Sequence, residues 1–142
     1  VETSHSIGVV QLEGDELITR SMARSSVNSR KDLLTRKITI IAEALGATVE
    51  FSGAYGAWEF DNKSDLLDVC IKAYEEQYGE KPVVSAIHAG VECGKWAEKV
   101  GKIDAVSIGP DMSGVHSVLE KLSISSTERT WEYVKLVLAH CK

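Results

Sequence analysis

The stretch DAVSIGPDMSGVHS, from Asp104 to Ser117, decides the fold class that we predict for this chain. Its first part, Asp104 to Gly109, is short and apolar and ends at a Gly-Pro break, which is typical of a strand buried on both faces of a sheet. A second segment of this kind, Val83 to His88, precedes it. Helical patterns surround both segments, and the resulting αβαβα order predicts parallel strands covered by helices.

Three segments of this second part have helical spacing. Ser64 to Tyr78 is followed by Gly79, and Gly90 to Val100 follows a glycine-rich turn. The last helix begins at SSTE, where Ser125 and Glu128 fit a capping box. Because ligands of parallel sheets gather at the carboxyl ends of the strands, we expect a site where the two strands end.

The first third of the chain has the pattern of a small sheet with one helix. Ser6 to Leu12 and Glu16 to Arg24 are β-rich and flank the turn residues EGD, which predicts a hairpin. A helical pattern follows and ends at Gly46, and Ala47 to Gly53 adds a third strand to give a ββαβ unit. Residues 54 to 63 connect the two parts. The candidate caps at the start of the helix are serines: Ser25, Ser26 and Ser29.

Composition excludes several classes of protein. The chain has 142 residues, of which 44% are hydrophobic and 26% charged, with a net charge of −5, as expected of one globular domain or two small ones. It has no basic patch for nucleic acid and no apolar stretch of the roughly 20 residues that span a membrane. The three cysteines are odd in number and widely spaced, which predicts free thiols and a cytoplasmic location.

Three places carry candidate chemistry. His116 follows a predicted strand end and is either a zinc ligand or an ordinary surface histidine, since no partner ligands occur at a recognisable spacing. In IHAGVECG, Gly90 either lets a backbone N–H approach a ligand or merely serves the turn, while His88 and Cys93 lack a third group for nucleophilic catalysis. Arg24, at the end of a strand, either binds a carboxylate bidentately or faces solvent.

Four motifs, in order along essentially the whole chain, resemble the C-terminal part of the aminoacyl-histidine dipeptidases, also called peptidase D or cytosol non-specific dipeptidases. This family belongs to the di-zinc metallopeptidases that include carnosinases and aminoacylases. The motifs are RSSVNSR (Arg24–Arg30), AIHAGVECG (Ala86–Gly94), SIGPDMSGVHS (Ser107–Ser117) and LSISSTERTW (Leu122–Trp131). The resemblance implies that residues 1–53 are part of a lid domain of the dimerisation type. Residues 54–142 would be the C-terminal part of a split zinc-peptidase catalytic domain.

The resemblance also implies roles for individual residues. His116 would be the last ligand of a centre of two zinc ions, or of other divalent metals. Asp111, five residues before it, is a candidate acceptor for its second ring nitrogen on proximity alone, and the resemblance does not assign it. Arg24 would bind the C-terminal carboxylate of the substrate, and Gly90 would contact the same region through its backbone. The remaining ligands and the general base would belong to the N-terminal half of the enzyme, so we expect no catalytic residue in this chain. The motif residues Glu92 and Cys93 would set local shape.

The function implied is that of a cytoplasmic zinc-dependent dipeptidase that hydrolyses Xaa-His and other dipeptides, such as β-alanyl-histidine, by a metal-activated water. Its partners would be the dipeptide, the N-terminal half of the enzyme and, through a free strand edge, a second copy of the chain. The 142 residues alone are expected to be inactive. The alternative is a non-catalytic α/β module that binds a partner or self-associates.

Overall fold

The computed structural model describes residues 1–88, 92–101 and 103–141 of the chain. Within them it is a mixed α/β protein with four helices and two antiparallel two-stranded sheets, and none of these helices is long and apolar enough to cross a membrane. Contacts divide the chain into two units, Val1–Asp61 with Ser85–Ile103 and Asn62–Val84 with Asp104–Lys142. The elements are β1 (Thr3–Glu13), β2 (Glu16–Ser25), α1 (Asn28–Ala44), α2 (Asp65–Tyr78), α3 (Glu92–Val100), β3 (Met112–Ser113), β4 (Lys121–Leu122) and α4 (Ile124–His140).

The first unit contains the predicted hairpin. β1 and β2 pair antiparallel around a two-residue turn, in which Gly14 has a φ of 61°, and their register shifts once, between Ile7 and Val9. Glycine takes this left-handed conformation without a steric cost, and a two-residue turn of this kind determines the register of the strands that it joins.

The end of α1 was predicted correctly. Gly46 follows the last helical turn with a φ of 77°, and its N–H donates to the Glu43 carbonyl at 3.0 Å. The Ala47 N–H donates to the Ala42 carbonyl at 2.9 Å. These two bonds form a Schellman motif, which satisfies carbonyls that the helix itself leaves unpaired.

The start of α1 was predicted wrongly, because no serine caps it. Val27 is the N-cap residue and has no side-chain oxygen, while Ser25 lies in β2. The Asn28 N–H instead donates to the carboxylate of Glu59 at 2.7 Å. A cap that comes from so far along the chain leaves no local signal in the sequence.

The three further strands that the sequence predicts are not formed. Ala47–Gly53, Val83–His88 and Asp104–Gly109 pair with no strand among the described residues. Their apolar side chains are largely uncovered, with Val83 94% and Phe51 59% exposed. A strand is stabilised by hydrogen bonds to a neighbouring strand. An apolar run alone therefore predicts burial of its side chains and not strand pairing. The expected ββαβ unit is therefore ββα here, and the αβαβα segment lacks its parallel sheet.

The second unit is built on α2 packed against α4. Ser64 caps α2 by accepting from the Leu67 N–H at 2.9 Å, and Gly79 ends it in the left-handed conformation, as predicted. Asp104 reinforces this cap, since its carboxylate accepts from the Ser64 hydroxyl at 2.5 Å and from the Leu66 N–H at 2.9 Å. The buried hydrophobic residues between the helices are Cys70, Ala73, Tyr133 and Val137, and Val106 packs against them.

Tyr133 joins the two helices by a buried hydrogen bond. Its hydroxyl donates to the Cys70 carbonyl at 2.9 Å. Burial raises the pKa of the Tyr133 phenol above its ordinary value of 10.0, and burial likewise raises the pKa of the Cys70 thiol above 9.0. Both groups therefore hold their protons more tightly in the folded chain than in the unfolded one.

These pKa shifts predict that the protein loses stability in alkaline solution. As pH rises through 9.0 and 10.0, the unfolded chain releases protons that the folded chain retains, so the free energy of unfolding falls. Tyr133→Phe should flatten this decline and cost about 0.5–1.5 kcal/mol at neutral pH through the lost hydrogen bond. Urea denaturation across this pH range measures both effects. An unchanged pH slope in Tyr133→Phe would contradict the assignment.

Candidate functional site

His116 lies in the loop of a small hairpin and not directly after a buried strand. β3 and β4 pair as Met112 with Leu122 and Ser113 with Lys121, and the residues between them form the loop. His116 is exposed and has a φ of 64°, the one positive φ of a non-glycine residue in the described part of the chain. Such a backbone costs about 1–3 kcal/mol and persists only where its surroundings impose it.

Hydrogen bonds within the loop hold this conformation. The Glu120 carboxylate accepts from the His116 N–H at 2.9 Å. The Ser117 hydroxyl donates to the Gly114 carbonyl at 2.7 Å and accepts from the Leu119 N–H at 3.1 Å. A Cβ on Gly114 would lie 2.7 Å from the Leu119 carbonyl oxygen, so only glycine fits there. The loop that carries His116 is therefore held by its own hydrogen bonds and by the close approach of its backbone at Gly114, although its side chains are exposed.

The base of the hairpin is attached to the first turn of α4. The hydroxyl of Ser126, which is 4% exposed, accepts from the Asp111 N–H at 2.8 Å. The Ser123 N–H donates to the Asp111 carbonyl at 3.0 Å, and the Asp111 carboxylate lies 3.6 Å from the Arg129 guanidinium. Asp111 thus pairs with Arg129. The predicted contact between Asp111 and the His116 ring is not formed.

The same turn corrects the predicted cap of α4. Its N-cap is Ser123, whose hydroxyl accepts from the Ser126 N–H at 3.3 Å, and not Ser125. The predicted capping box with Glu128 is wrong because the helix begins two residues earlier, at Ile124. The serine-rich sequence offers several possible N-caps. Ser123 is the one used, and its N–H also donates to the Asp111 carbonyl.

The His116 imidazole suits the role of a single metal ligand. It forms no hydrogen bond or ion pair within residues 1–88, 92–101 and 103–141. Those residues contain no group of three or more histidine, cysteine, aspartate or glutamate side chains that could hold a metal ion. Catalytic zinc takes three protein ligands and a water. An exposed, unpaired imidazole fits such a centre if the other ligands come from elsewhere.

Arg24 is exposed near the end of β2, opposite Ser4 in the hairpin, and belongs to the first unit, whereas His116 belongs to the second. Its Nε donates to the Met22 sulfur at 2.9 Å. A thioether is a weak acceptor, so the guanidinium can exchange this contact for a carboxylate, which it binds bidentately. Arg20 lies on the same face of β2, because side chains alternate along a strand.

The motif around Gly90 is described in part. Gly90 itself lies outside the described residues, so its predicted backbone contact stays a prediction. α3 begins at Glu92, and the half-buried Cys93 in its first turn forms no hydrogen bond with His88 in the part that the structure describes. The structure therefore offers no support for a cysteine–histidine nucleophile.

Gly94, in the same motif, has a packing role that the sequence analysis missed. It is buried, and a Cβ at this position would lie 2.6 Å from the Gly56 carbonyl oxygen. The Glu98 carboxylate accepts from the Gly56 N–H at 3.1 Å. One face of α3 thus rests directly on the backbone around Gly56. The glycine was visible in the motif, but its partner was not.

Gly94→Ala is expected to destabilise the protein by about 1–3 kcal/mol, because its Cβ forces apart two backbone segments that cannot both stay in place. Thermal or urea denaturation measures the loss. Lys95→Ala, at an exposed neighbouring position on α3, is the matched control and should change stability little. Equal stability of the two variants would mean that Gly56 moves away without cost.

Comparisons with known proteins identify relatives of the chain. It is 33% identical over 131 residues to the cytosol non-specific dipeptidase of Escherichia coli, a match that covers 92% of the chain and 27% of that protein. The crystal structure of aminoacylhistidine dipeptidase from Vibrio alginolyticus superposes with a TM-score of 0.79 at 36% identity, over 97% of the chain and 28% of the other. Aminopeptidase PepT from Bacillus cereus shares the fold, with a TM-score of 0.74 at 21% identity over 98% of the chain and 40% of the other. No family model matches.

These matches agree with the resemblance found in the four motifs, which is thereby confirmed. The two relatives that are more than 30% identical to the chain are named as dipeptidases, and the chain spans only about a quarter of the length of each. Over the part that it spans, the chain is a homologue of the cytosol non-specific, or aminoacyl-histidine, dipeptidases.

Proposed function

We propose that the chain is part of a zinc-dependent cytoplasmic dipeptidase that hydrolyses Xaa-His and other dipeptides, such as β-alanyl-histidine. The observation that carries the proposal is the similarity of nearly the whole chain to a cytosol non-specific dipeptidase and an aminoacylhistidine dipeptidase. In this proposal, residues 1–53 belong to the lid domain and residues 54–142 to the catalytic domain. The exposed apolar segments that contain Val83 and Phe51 would then pair with strands outside these 142 residues and be buried by them.

His116 would contribute one ligand to the metal centre. Its imidazole is exposed and unpaired in the described part of the chain, and hydrogen bonds hold the loop backbone from which it projects, so the ring is free to bind a metal from a defined Cα position. When bound, a pair of divalent ions would supply an acidified water and a Lewis acid for the scissile carbonyl. The chain's own share is to hold the imidazole in place, while the general base lies outside it.

Arg24 would select dipeptides by binding the free carboxylate at the end of the substrate. Its guanidinium is exposed and, within the part of the chain that the structure describes, is held by the weak Met22 sulfur contact, so it gives up little to bind a carboxylate. Gly90 would add a backbone N–H near the same group. Recognition of a free C-terminal carboxylate on the residue next to the scissile bond would exclude long peptides, because their chain end lies further from that bond.

The second candidate, an α/β module that binds a partner or a second copy of itself, is favoured by the uncovered hairpin. Ile7, Leu12 and Leu17 are 62–70% exposed on β1 and β2, and apolar surface of this kind commonly marks an interface. Such a surface would equally suit a lid domain that dimerises. The exposed hairpin therefore does not distinguish the two candidates, and only a test of catalytic activity separates them.

The deciding experiment is a hydrolysis assay on the protein purified from its natural source, with its intact mass measured first. We expect a mass well above 15.5 kDa, release of histidine from β-alanyl-histidine, loss of activity with a chelator and recovery with zinc. The isolated 142 residues should neither hydrolyse the dipeptide nor bind zinc tightly. A natural protein of this length without activity would favour the module. Turnover by the isolated chain would contradict the proposal that the other metal ligands and the general base lie outside these 142 residues.

A further inference from the structure

We propose that Glu120 is a positioning residue for His116, whose backbone it holds so that the Cα–Cβ bond that carries the imidazole keeps one direction. This inference rests on the proposed function, because it concerns the same metal ligand. The contact between Glu120 and the His116 N–H lies within one loop of the second unit, so its effect on the loop backbone can be measured without metal.

The first step of the argument is the strain at His116. Its φ of 64° lies in the left-handed region, which residues other than glycine adopt uncommonly, so some contact must outweigh the preference for a negative φ. Backbone strain of this kind tends to occur at ligand-binding positions, where it is part of the function.

The second step is the contact that opposes the strain. The Glu120 carboxylate accepts from the His116 N–H at 2.9 Å, and a hydrogen bond to an ionised acceptor is roughly twice as strong as a neutral one. The Glu120 N–H donates to the Ser117 carbonyl at 3.1 Å, which keeps its own backbone in the loop. Next to it, β4 pairs with β3. Glu120, which directly precedes β4, thus connects the end of the loop at that strand to His116.

The third step concerns the direction of the imidazole. Changing a residue from the left-handed to an extended conformation turns its Cα–Cβ bond relative to the chain on either side. A metal ligand must be held within about 0.5 Å and 10–20° of its working geometry. Loss of the Glu120 contact would let His116 relax to a negative φ and move its ring away from that geometry.

The experiment compares Glu120→Ala and Glu120→Gln with the wild-type protein in its natural length. Amide hydrogen exchange of the loop is measured without metal, and zinc affinity by competition with a chromophoric chelator. In Glu120→Ala we expect the His116 amide to exchange about tenfold faster and zinc to bind about 10- to 100-fold more weakly. Glu120→Gln keeps an oxygen acceptor and should recover part of both. Glu128→Ala, an exposed glutamate on α4, is the matched control.

Two results would overturn the inference. Unchanged zinc affinity in Glu120→Ala, with His116→Asn impaired, would leave His116 as a ligand but remove the role of Glu120. If Glu120→Gln lost zinc as fully as Glu120→Ala while its loop exchanged as in the wild type, Glu120 would itself be a metal ligand. By contrast, normal zinc binding in His116→Asn would contradict the proposed function.

Discussion

Replacing His116 with asparagine, in the protein as its gene encodes it, should remove about one of the two zinc ions that the proposed function assigns to the enzyme. We expect kcat/KM for β-alanyl-histidine to fall at least about a thousandfold, because loss of a direct ligand exceeds the 10- to 100-fold typical of its supporting residues. Metal analysis of the purified variant and steady-state kinetics measure the two effects. Asparagine is the informative replacement because it tolerates positive φ, so the loop should keep its backbone.

A parallel set of variants separates ligation from loop geometry. His116→Ala removes the imidazole but adopts the left-handed backbone less readily, so a comparable loss in both variants would assign the effect to the ring. His5→Ala, at an exposed position on β1, should retain zinc and activity. If His116→Asn kept two zinc ions and full activity, the assignment of His116 as a ligand would be wrong.

Local features of the sequence predicted several element boundaries well. Gly46 and Gly79 end α1 and α2 as predicted, because a glycine after the last helical turn acts within that turn. Signals that depend on distant residues were missed. The cap of α1 comes from Glu59, and the choice of Ser123 over Ser125 is tied to the loop base at Asp111.

The strand predictions failed for a different reason. Val83–His88 and Asp104–Gly109 have the apolar composition of buried strands, and Val106 does pack against the α2–α4 core. Whether such a segment becomes a strand depends on a hydrogen-bonding neighbour, which its own sequence does not specify. Because the chain spans 27% of its curated relative, that neighbour need not lie within these residues.

The candidate site was predicted in the same uneven way. His116 was found from its residue type and its motif, since imidazole is a common metal ligand. Glu120 and Ser126 were missed, although Ser126 lies in the last of the four motifs and Glu120 just before it, because a glutamate and a serine in a loop region have many ordinary roles. Only the bonds to the His116 and Asp111 amides identify what they do.

Arg24→Ala should lower kcat/KM for a dipeptide with a free C-terminal carboxylate by about 10- to 150-fold, mainly through KM. This range corresponds to the roughly 1.5–3 kcal/mol of a hydrogen bond to a charged group. Hydrolysis of the same dipeptide with its C-terminus amidated should hardly change, because that substrate offers no carboxylate. Initial rates on the two substrates, compared between wild type and variant, measure the coupling between Arg24 and the carboxylate.

Two further variants test whether geometry or charge alone accounts for the effect. Arg24→Lys keeps the charge but loses the planar fork, so it should recover only part of the selectivity. Arg20→Ala removes a positive charge from the same face of β2, four residues away, and should leave both substrates unaffected. Equal losses on the free and the amidated dipeptide would mean that Arg24 supports the fold of the hairpin. If Arg20→Ala matched Arg24→Ala, the selectivity would come from the general positive potential of this face, and the specific carboxylate contact would have to be abandoned.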